Sequence, residues 1–510
     1  MNLVVVGGGT AGWLTALYAK KANKDSQVTL IESEEIGILG AGEGTTPHLI
    51  PILDYLGIPV SELIKNCQAT IKNGIKFTNW QDNKYYYHPF AQTSLASEQS
   101  ANFTFNYYEE NSAEISHLYA KLSNTPQNEY CFINMLSEKN KVPFQRKTLT
   151  SDFYPINPIQ FFTSLASWSI HFDANVLAKF LREVAESRGI TRIEGKVIET
   201  TQDGQGYITN LKTETKVIPV DFVFDCSGFR RLLVGDLYKS TWSSHQDSLP
   251  AKKAIPFFLP KDKDIPAYTE STAMNYGWMW KIPLQHRYGC GYVFDSDMVS
   301  DDKAKQEIEK LLKTKIESPR TFTFNAGCYK EIWIKNCLAV GLSSGFLEPL
   351  EATSIWQSGI VLRNFFSEKV NLTTKNKKII DTFNNKFYNQ TKEIVDFLYL
   401  HYLTNKKTTP FWKDFSKNNK MPDFIEYILD VSKERMINQD VDFDNRQMFS
   451  ASNYSYVMIG NGLISDETLL KNLKNQSSDK NIDFLKIKKN QKIMEPTVVS
   501  HLEFLEELSK

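Results

Sequence analysis

Residues 3–12 read LVVVGGGTAG, and this stretch decides the fold. The run from Leu3 to Val6 is short, apolar and β-branched, as expected of a buried parallel strand. The glycines that follow end this strand, and they open a helix that we predict to run to about Lys20. A second apolar run, Val28 to Ile31, then ends at Glu32. Strand, glycine loop, helix and strand in this order, within about 30 residues, predict a β-α-β unit.

The glycines of the pattern Gly7-x-Gly9-x-x-Gly12 each meet a different requirement of a dinucleotide site. The first permits the tight turn, the second lets the backbone approach a pyrophosphate, and the third lets the helix pack on the sheet. The helix N-terminus presents oriented N–H groups to anionic oxygens. Glu32 lies 20 residues beyond Gly12, where an acid accepts a hydrogen bond from a ribose 2′-hydroxyl. The sequence therefore predicts a nucleotide cofactor.

Features further along the chain favour FAD over NAD. Ser33 follows the acid, and a second glycine-rich loop, AGEGTTP, occupies positions 41–47. A late strand at Phe222–Phe224 runs into DCSG at 225–228. Together these segments are typical of a flavin-binding fold.

Local signals predict the elements around this unit. A helix is expected from the cap residue Asp173 to just before Gly189. Strands are expected at 193–200 and 207–211, joined through the turn dipeptide Asp203-Gly204, which tolerates positive φ. Residues after about 371 read as helical and rich in lysine.

Composition and charge exclude several classes of protein. The chain has 510 residues, of which 41% are hydrophobic and 23% charged, so it is not intrinsically disordered. Lysine plus arginine equals aspartate plus glutamate, 59 against 59, which disfavours nucleic acid and anionic membrane surfaces as partners. The six cysteines form no CxxC pair, so we expect reduced thiols and no metal site. No apolar run approaches the about 20 residues of a membrane span, and a cytoplasmic location is expected.

Eight separate segments give the chain a resemblance to the flavin-dependent halogenases, the tryptophan halogenase family. They are GGGTAGW at 7–13, GAGEGTTP at 40–47, KNGIKFTNW at 72–80, YHPF at 87–90, HFDANVLAKFL at 171–181, DCSGFRRLL at 225–233, WMWKIP at 278–283 and GFLEPLEATSI at 345–355. The resemblance implies an α/β fold with an FAD-binding Rossmann-type, flavin monooxygenase-like module. We expect that module to comprise 1–80, 150–240 and 325–370, with inserted substrate-side segments at 81–149 and 241–324 and a mainly helical C-terminal part at 371–510.

The resemblance also implies two catalytic residues, Lys72 and Glu351. Along residues 71–77, Ile71, Ile75 and Phe77 share one face. Lys72 and Lys76 share the other, and spacing alone fits either lysine. The family's catalytic lysine matches the first. Its ammonium would polarise hypohalous acid, or its free amine would capture the halogen as a haloamine. Glu351 would orient the electrophile or take the proton that the arene releases.

The family's halide site uses backbone amides that match Thr353 and Ser354. Ala352 and Ser354 depart from the family's usual Ser-Thr-Gly. Because serine adds a Cβ and restricts φ, we expect this nest to differ, and the halide preference with it. Bromide or iodide is expected to outcompete chloride.

The resemblance also implies an aromatic wall beside the flavin and a set of residues that contact the cofactor and the substrate. Trp278, Trp280 and Pro283 of WMWKIP would line the flavin side, with both indoles on one face of a strand. The expected cofactor-binding residues are Gly7, Gly9, Thr10, Ala11, Gly12, Glu32, Ser33, Ala41, Gly44, Val197, Leu342 and Ile355. Phe103 and Tyr454 are the substrate candidates, and simple packing is the other interpretation of such aromatic residues.

The implied activity is FADH2- and O2-dependent halogenation of an electron-rich indole or phenol, with chloride, bromide or iodide as the halide. One dinucleotide fingerprint implies a separate flavin reductase as the source of FADH2. An aromatic hydroxylase and a non-catalytic FAD-binding protein are the alternatives, since both share the flavin motifs. Dependence on halide distinguishes a halogenase from the hydroxylase. Formation of any product distinguishes it from the non-catalytic protein.

Overall fold

The computed structural model describes residues 1–35, 40, 42–81, 84–90, 117–118, 120–121, 130–146, 162–318, 321–404, 409–474, 489 and 491–509. The strands are β1 Asn2–Val6, β2 Gln27–Glu32, β3 Glu43–Gly44, β4 Thr70–Lys72, β5 Gly74–Thr78, β6 Tyr85–Pro89, β7 Lys141–Arg146, β8 Phe162–Ser164, β9 Ser169–Phe172, β10 Thr191–Glu194, β11 Glu199–Gln202, β12 Ile208–Lys212, β13 Val217–Pro219, β14 Phe222–Asp225, β15 Trp242–Ser244, β16 Lys253–Pro260, β17 Thr269–Ala273, β18 Gly277–Pro283, β19 Arg287–Phe294, β20 Phe322–Thr323, β21 Gly327–Tyr329, β22 Trp333–Ile334, β23 Cys337–Ala339, β24 Gly345–Phe346 and β25 Val498–Ser500. The helices are α1 Thr10–Ala22, α2 Leu49–Leu56, α3 Val60–Asn66, α4 Phe132–Glu138, α5 Ala174–Ser187, α6 Asp301–Leu312, α7 Thr353–Phe366, α8 Lys377–Tyr402, α9 Pro410–Lys413, α10 Phe415–Asn418, α11 Asp423–Val431, α12 Gln439–Asp442, α13 Ala451–Gly460, α14 Asp466–Lys474 and α15 His501–Ser509.

The first of two compact units comprises Met1–Gln68, Phe172–Gln246 and Phe324–Lys392. Its main sheet has the strand order β10-β2-β1-β14-β23-β22. The first five strands are parallel, and β22 pairs antiparallel with β23. Two three-stranded sheets, β11-β12-β13 and β15-β21-β24, accompany it. A largely parallel sheet with helical connections is the architecture of nucleotide-binding α/β folds.

The β-α-β prediction at the N-terminus is confirmed. Leu3 to Val6 are buried in the central strand β1, between β2 and β14, which explains their uniformly apolar character. Asp173 caps α5, because its carboxylate accepts hydrogen bonds from the N–H groups of Asn175 at 3.1 Å and Val176 at 3.5 Å. Gly189, two residues past the end of α5, has φ +78°.

The prediction of one strand at 193–200 is wrong. The chain leaves the main sheet after β10 and begins a different sheet at β11, and Gly195 between them has φ +148°. A residue in that conformation cannot continue a strand, so the apolar pattern spans two elements. In the following turn, Gly206 rather than Gly204 has the positive φ, +84°.

The second unit comprises Ala69–His171, Asp247–Thr323 and Glu393–Lys510. Its seven-stranded sheet has the order β20-β16-β19-β18-β17-β5-β6, antiparallel except for the parallel pair β17 and β5. Helix α6 packs its buried residues Ala304 and Ile308 onto Tyr292 and neighbouring side chains of this sheet. A smaller sheet has the order β25-β7-β8, and β4 pairs antiparallel with β9.

The helical C-terminal part is confirmed, and α8, with 26 residues, is its longest described helix. The end of α8 is held by the buried Asn461, whose amide donates to the carbonyls of Leu400, His401 and Leu403. Within the described ranges, no helix has both the length and the apolar character needed to cross a bilayer. All six cysteines are buried and free.

Candidate active site

Four parallel strands of the first unit end at the same edge of the main sheet. The final residues of β1, β2, β14 and β23 are Val6, Glu32, Asp225 and Ala339. The glycine loop follows the first of them, and the 3₁₀ turn 341–343 follows the last. In open α/β sheets the crevice beyond the carboxyl ends is where ligands bind.

The three fingerprint glycines are needed for different reasons. Gly7 has φ +116°, and a Cβ built on it would overlap the carbonyl oxygen of Cys226. A Cβ on Gly12 would overlap the carbonyl oxygen of Gly7, so the fold itself requires both glycines. Gly9 is extended, with φ −75° and ψ −179°, and its Cβ would meet no described atom within 4 Å. The described fold gives no reason for glycine at position 9, whereas a ligand close to this backbone would.

The carboxylate of Glu32 lies over the glycine loop. A Cβ on Gly8 would overlap the Oε2 atom of Glu32, and the other oxygen, Oε1, accepts a hydrogen bond from Arg192 Nε at 2.6 Å. Arg192 orients the carboxylate and leaves Oε2 facing the loop. Binding of a ribose hydroxyl by this carboxylate stays a prediction of the sequence.

Other predicted cofactor residues surround the start of α1. Thr10 and Ala11 form its first turn. Leu342 lies in the turn after β23, where a Cβ on Gly341 would be 2.6 Å from the Ala11 Cβ. The turn after β23 therefore lies against the first turn of α1.

The remaining cofactor candidates lie elsewhere in the first unit. Ser33 directly follows β2, Gly44 ends the short strand β3, and Val197 lies in the connection between β10 and β11. Ile355 lies in the first turn of α7. Ala41 is outside the described residues.

The second glycine loop contains a perturbed carboxyl group that sequence reasoning missed. Burial raises the pKa of Glu43 to about 7, and the nearby carboxylate of Asp173 acts in the same direction. Both effects disfavour the charged form of Glu43. Its position within GAGEGTTP is the only signal that the sequence offers for it.

The segment predicted to bind halide opens α7. Glu351 ends a 3₁₀ turn and is 2% exposed, and Ala352 follows in the left-handed conformation with φ 55°. Thr353 is buried, whereas Ser354 is exposed and helical. The expectation that Ser354 restricts φ is therefore wrong, since an α-helical φ suits serine as well as glycine. The strained residue is Ala352, where a Cβ costs about 1–2 kcal/mol in this conformation.

In the second unit, Lys72 and Lys76 lie in different environments. Lys72 ends β4 and is completely buried, with its Nζ 5.1 Å from the centroid of the Phe90 ring. Lys76 lies on β5 and is half-buried, with its Nζ 4.0 Å from the Tyr85 ring centroid. The two residues do not share one strand face, because Asn73 interrupts the strand and separates β4 from β5.

Phe90 belongs to the YHPF segment, for which the sequence offered a resemblance but no role. The preceding His88 is 3% exposed, and its Nε2 accepts a hydrogen bond from Asn453 Nδ2 at 2.9 Å. Asn453 itself lies on α13, within its capping box. Phe90 thus forms part of the surroundings of Lys72.

The residues predicted to form an aromatic wall lie on β18, and their place beside the flavin stays a prediction. Trp278 is 1% exposed and Trp280 is half-buried, and their ring centroids are 6.0 Å apart at an interplanar angle of 55°. Gly291 on the neighbouring strand β19 pairs with Trp280, and a Cβ on Gly291 would overlap the indole of Trp280. Pro283 ends the strand, and its carbonyl accepts a hydrogen bond from Thr70 Oγ1 at 2.7 Å. The wall strand is thereby bonded to the strand of Lys72.

Of the two substrate candidates, Tyr454 is buried among aromatic side chains. Tyr454 is 1% exposed, with its hydroxyl 3.3 Å from Arg446 Nη2 and its ring packed against Phe397 and Phe443. Phe103 lies outside the described residues. Their contact with substrate stays a prediction.

The first unit, with its glycine loop, acid and parallel sheet, defines a dinucleotide-binding α/β enzyme fold. The tryptophan halogenase family model matches residues 2–475, and the chain belongs to this family. Tryptophan 7-halogenase RebH of Lentzea aerocolonigenes is 29% identical over 538 aligned residues, which cover 99% of this chain and 98% of the relative. The crystal structure of tryptophan 6-halogenase SttH from Streptomyces toxytricini matches with a TM-score of 0.83 and 26% identity, covering 99% of each chain. Xcc4156, a flavin-dependent halogenase from Xanthomonas campestris, matches with a TM-score of 0.80 and 27% identity, covering 99% of this chain and 98% of the other.

Proposed function

We propose that this protein halogenates an electron-rich aromatic compound, of indole or phenol type, using reduced FAD, dioxygen and a halide ion. The observation that carries the proposal is the completely buried Lys72, which ends a short strand in a member of a halogenase family. Burying a lysine is costly, because burial removes the hydration of its ammonium group, and this cost favours a functional role for Lys72. Lys72, rather than the half-buried Lys76, is therefore the proposed halogen-transfer residue.

The first unit is the proposed FAD-binding module. Gly9 offers open backbone for the pyrophosphate, the N-terminus of α1 supplies N–H donors, and Glu32 supplies an acceptor for the ribose. Bound FAD in its reduced form supplies, with dioxygen, the oxidising power that converts halide into hypohalous acid. A separate flavin reductase is the proposed source of reduced FAD, since the sequence contains one dinucleotide fingerprint.

Lys72 is proposed to deliver the halogen as an electrophile. As an ammonium it donates hydrogen bonds that polarise hypohalous acid, and as a free amine it holds the halogen as a haloamine. An aromatic carbon then bonds to the halogen while the halogen's bond to oxygen or to the lysine nitrogen breaks. The ring releases its own proton, and water or the free amine of Lys72 is left. Glu351, a buried carboxyl in the first unit, is the proposed acceptor of that proton.

The halide is proposed to bind at the start of α7. Thr353 and Ser354 provide backbone N–H groups of the first helical turn, which have no carbonyl partners within the helix and favour an anion. Bromide or iodide should be preferred over chloride, because larger anions pay less to leave water. Several electron-rich arenes, rather than one amino acid, are the proposed substrates.

The cytoplasm is the proposed location. Six buried, free cysteines fit a reducing compartment, where disulfides are rare.

Turnover with a substrate panel tests the proposed function. The protein, FAD, a flavin reductase and NADH are incubated with indoles and phenols, each with chloride, bromide, iodide or no halide, and products are read by mass spectrometry. We expect products that carry the mass of the added halogen and no product without halide. A hydroxylated product formed without halide would favour the hydroxylase, and FAD binding without any product would favour a non-catalytic protein.

A further inference from the structure

The strand that carries Lys72 has only three residues, Thr70–Lys72, and it pairs with β9 along one edge. The backbone N–H of Ile71, the residue before Lys72, does not donate to a carbonyl of another strand. It donates to the Nε2 atom of His501 at 2.9 Å. A side chain from a position 430 residues away thus takes the place of a neighbouring strand.

The hydrogen bonds of His501 fix its protonation state and tautomer. A backbone N–H can only donate, so Nε2 must be an unprotonated acceptor. Its other ring nitrogen, Nδ1, is 2.9 Å from the carbonyl oxygen of Ile265, which can only accept, so Nδ1 carries the proton. His501 is completely buried, and both bonds form only with the neutral imidazole.

The position of His501 is itself well fixed. It is the first residue of α15, and its backbone N–H donates to the carbonyl of Asn140 at 2.8 Å. Three residues further along the helix, Phe504 stacks on Phe144 with ring centroids 4.3 Å apart. The imidazole is therefore presented to β4 from a packed helix.

We propose that His501 is a positioning residue for Lys72, because its imidazole completes the hydrogen bonding of β4 and thereby fixes the backbone from which the lysine projects. This inference rests on the proposed role of Lys72 in halogen transfer. Neighbouring bonds hold the two ends of the same segment, since Thr70 Oγ1 donates to Pro283 and the Asn73 N–H donates to Ala267. Only the middle of the strand depends on His501.

Loss of the acceptor would leave a buried N–H group unsatisfied next to the lysine. The strand would relieve this cost by moving toward another acceptor or by admitting water. A displacement of about 1 Å at a reacting group lowers the rate about 100-fold. Halogen transfer should therefore fall, while FAD binding, which belongs to the first unit, should not change.

Two variants of His501 and one control separate positioning from general stability. His501→Leu removes the acceptor, whereas His501→Gln offers a neutral amide oxygen near the position of Nε2. Leu508→Ala weakens the same helix at a residue that is 1% exposed and leaves His501 in place. If His501→Leu does not fold, His501→Asn replaces it, because its amide oxygen is too short by one carbon to reach Ile71.

The readouts are hydrogen exchange of the peptide that spans β4 and the yield of halogenated product per reduced flavin oxidised. We expect His501→Leu to raise exchange in that peptide at least tenfold and to lower the product yield about 100-fold. His501→Gln should restore both to within about threefold, and Leu508→Ala should leave both near wild type. Unchanged exchange in His501→Leu, or equal losses in Leu508→Ala, would overturn the inference. Exchange is measured without turnover, so absence of product in the wild type would instead refute the proposed function.

Discussion

Replacing Gly9 with valine should abolish tight FAD binding without unfolding the protein. The extended backbone at this position accepts a β-branched residue, and the added Cβ would meet no described atom within 4 Å. The free energy of unfolding should therefore change by less than about 1 kcal/mol. The isopropyl group would occupy the space proposed for the pyrophosphate. Losing one or two charge-assisted hydrogen bonds, at about 1.5–3 kcal/mol each, weakens binding by at least about tenfold and at most about 20,000-fold.

Calorimetric titration with FAD and thermal unfolding of the same samples measure both quantities. Gly12→Ala is the matched control, because its Cβ would overlap the carbonyl oxygen of Gly7 and should lower the melting temperature. A folded Gly9→Val variant that binds FAD within threefold of wild type would refute the assignment of the nucleotide site. Binding of NAD in place of FAD would refute it as well.

Three further predictions concern pH, the halide and the aromatic wall. Burial lowers the pKa of His501 to about 4, and an unfolded histidine titrates near 6.5, so the unfolded chain binds the extra proton between these values. The contribution of His501 to the free energy of unfolding should be constant above pH 6.5 and fall by about 3 kcal/mol toward pH 4, so the difference between the wild type and His501→Gln in urea titrations should change by that amount. In competition assays the wild type should incorporate bromide or iodide ahead of chloride, and Ala352→Ser with Ser354→Gly should shift the ratio toward chloride; an unchanged ratio would count against control by this turn. Gly291→Ala should displace the indole of Trp280, shifting tryptophan emission and lowering product yield, and unchanged emission would contradict the packing described.

Local physical rules were sufficient for the nucleotide-binding half of the fold. Gly12 is required by its contact with Gly7 within the same β-α-β unit, and Gly7 by its own positive φ in the turn, so their spacing encodes the turn and the helix packing. Asp173 caps its helix through neighbours two and three residues away. Glu32 follows from the fixed length of the unit.

The lysines show where sequence reasoning stops. The alternating pattern of residues 71–77 predicts that Lys72 and Lys76 lie on one face. In the structure the strand is interrupted at Asn73, whose N–H donates to the carbonyl of Ala267. That bond joins positions almost 200 residues apart in sequence, and no local pattern reports it. Only the structure shows that one lysine is completely buried and the other half-buried.

The same limit applies at two other positions, Ala352 and His501. Glycine and serine differ in conformational freedom only where φ is positive, and the sequence does not reveal that the left-handed residue is Ala352 and not Ser354. The bond from His501 to Ile71 connects the C-terminal helix to the start of the chain's second unit. A lone histidine near a C-terminus carries no signal of such a contact.

Comparison of Lys72→Ala with Lys76→Ala tests the central claim most directly. Both variants are supplied with reduced FAD, dioxygen, bromide and an indole, and the oxidation of flavin and the halogenated product are measured in the same reaction. The account predicts that Lys72→Ala consumes reduced flavin at the wild-type rate with product at background, and that Lys76→Ala matches the wild type in both. Near wild-type product from Lys72→Ala, or loss of product in Lys76→Ala alone, would contradict it.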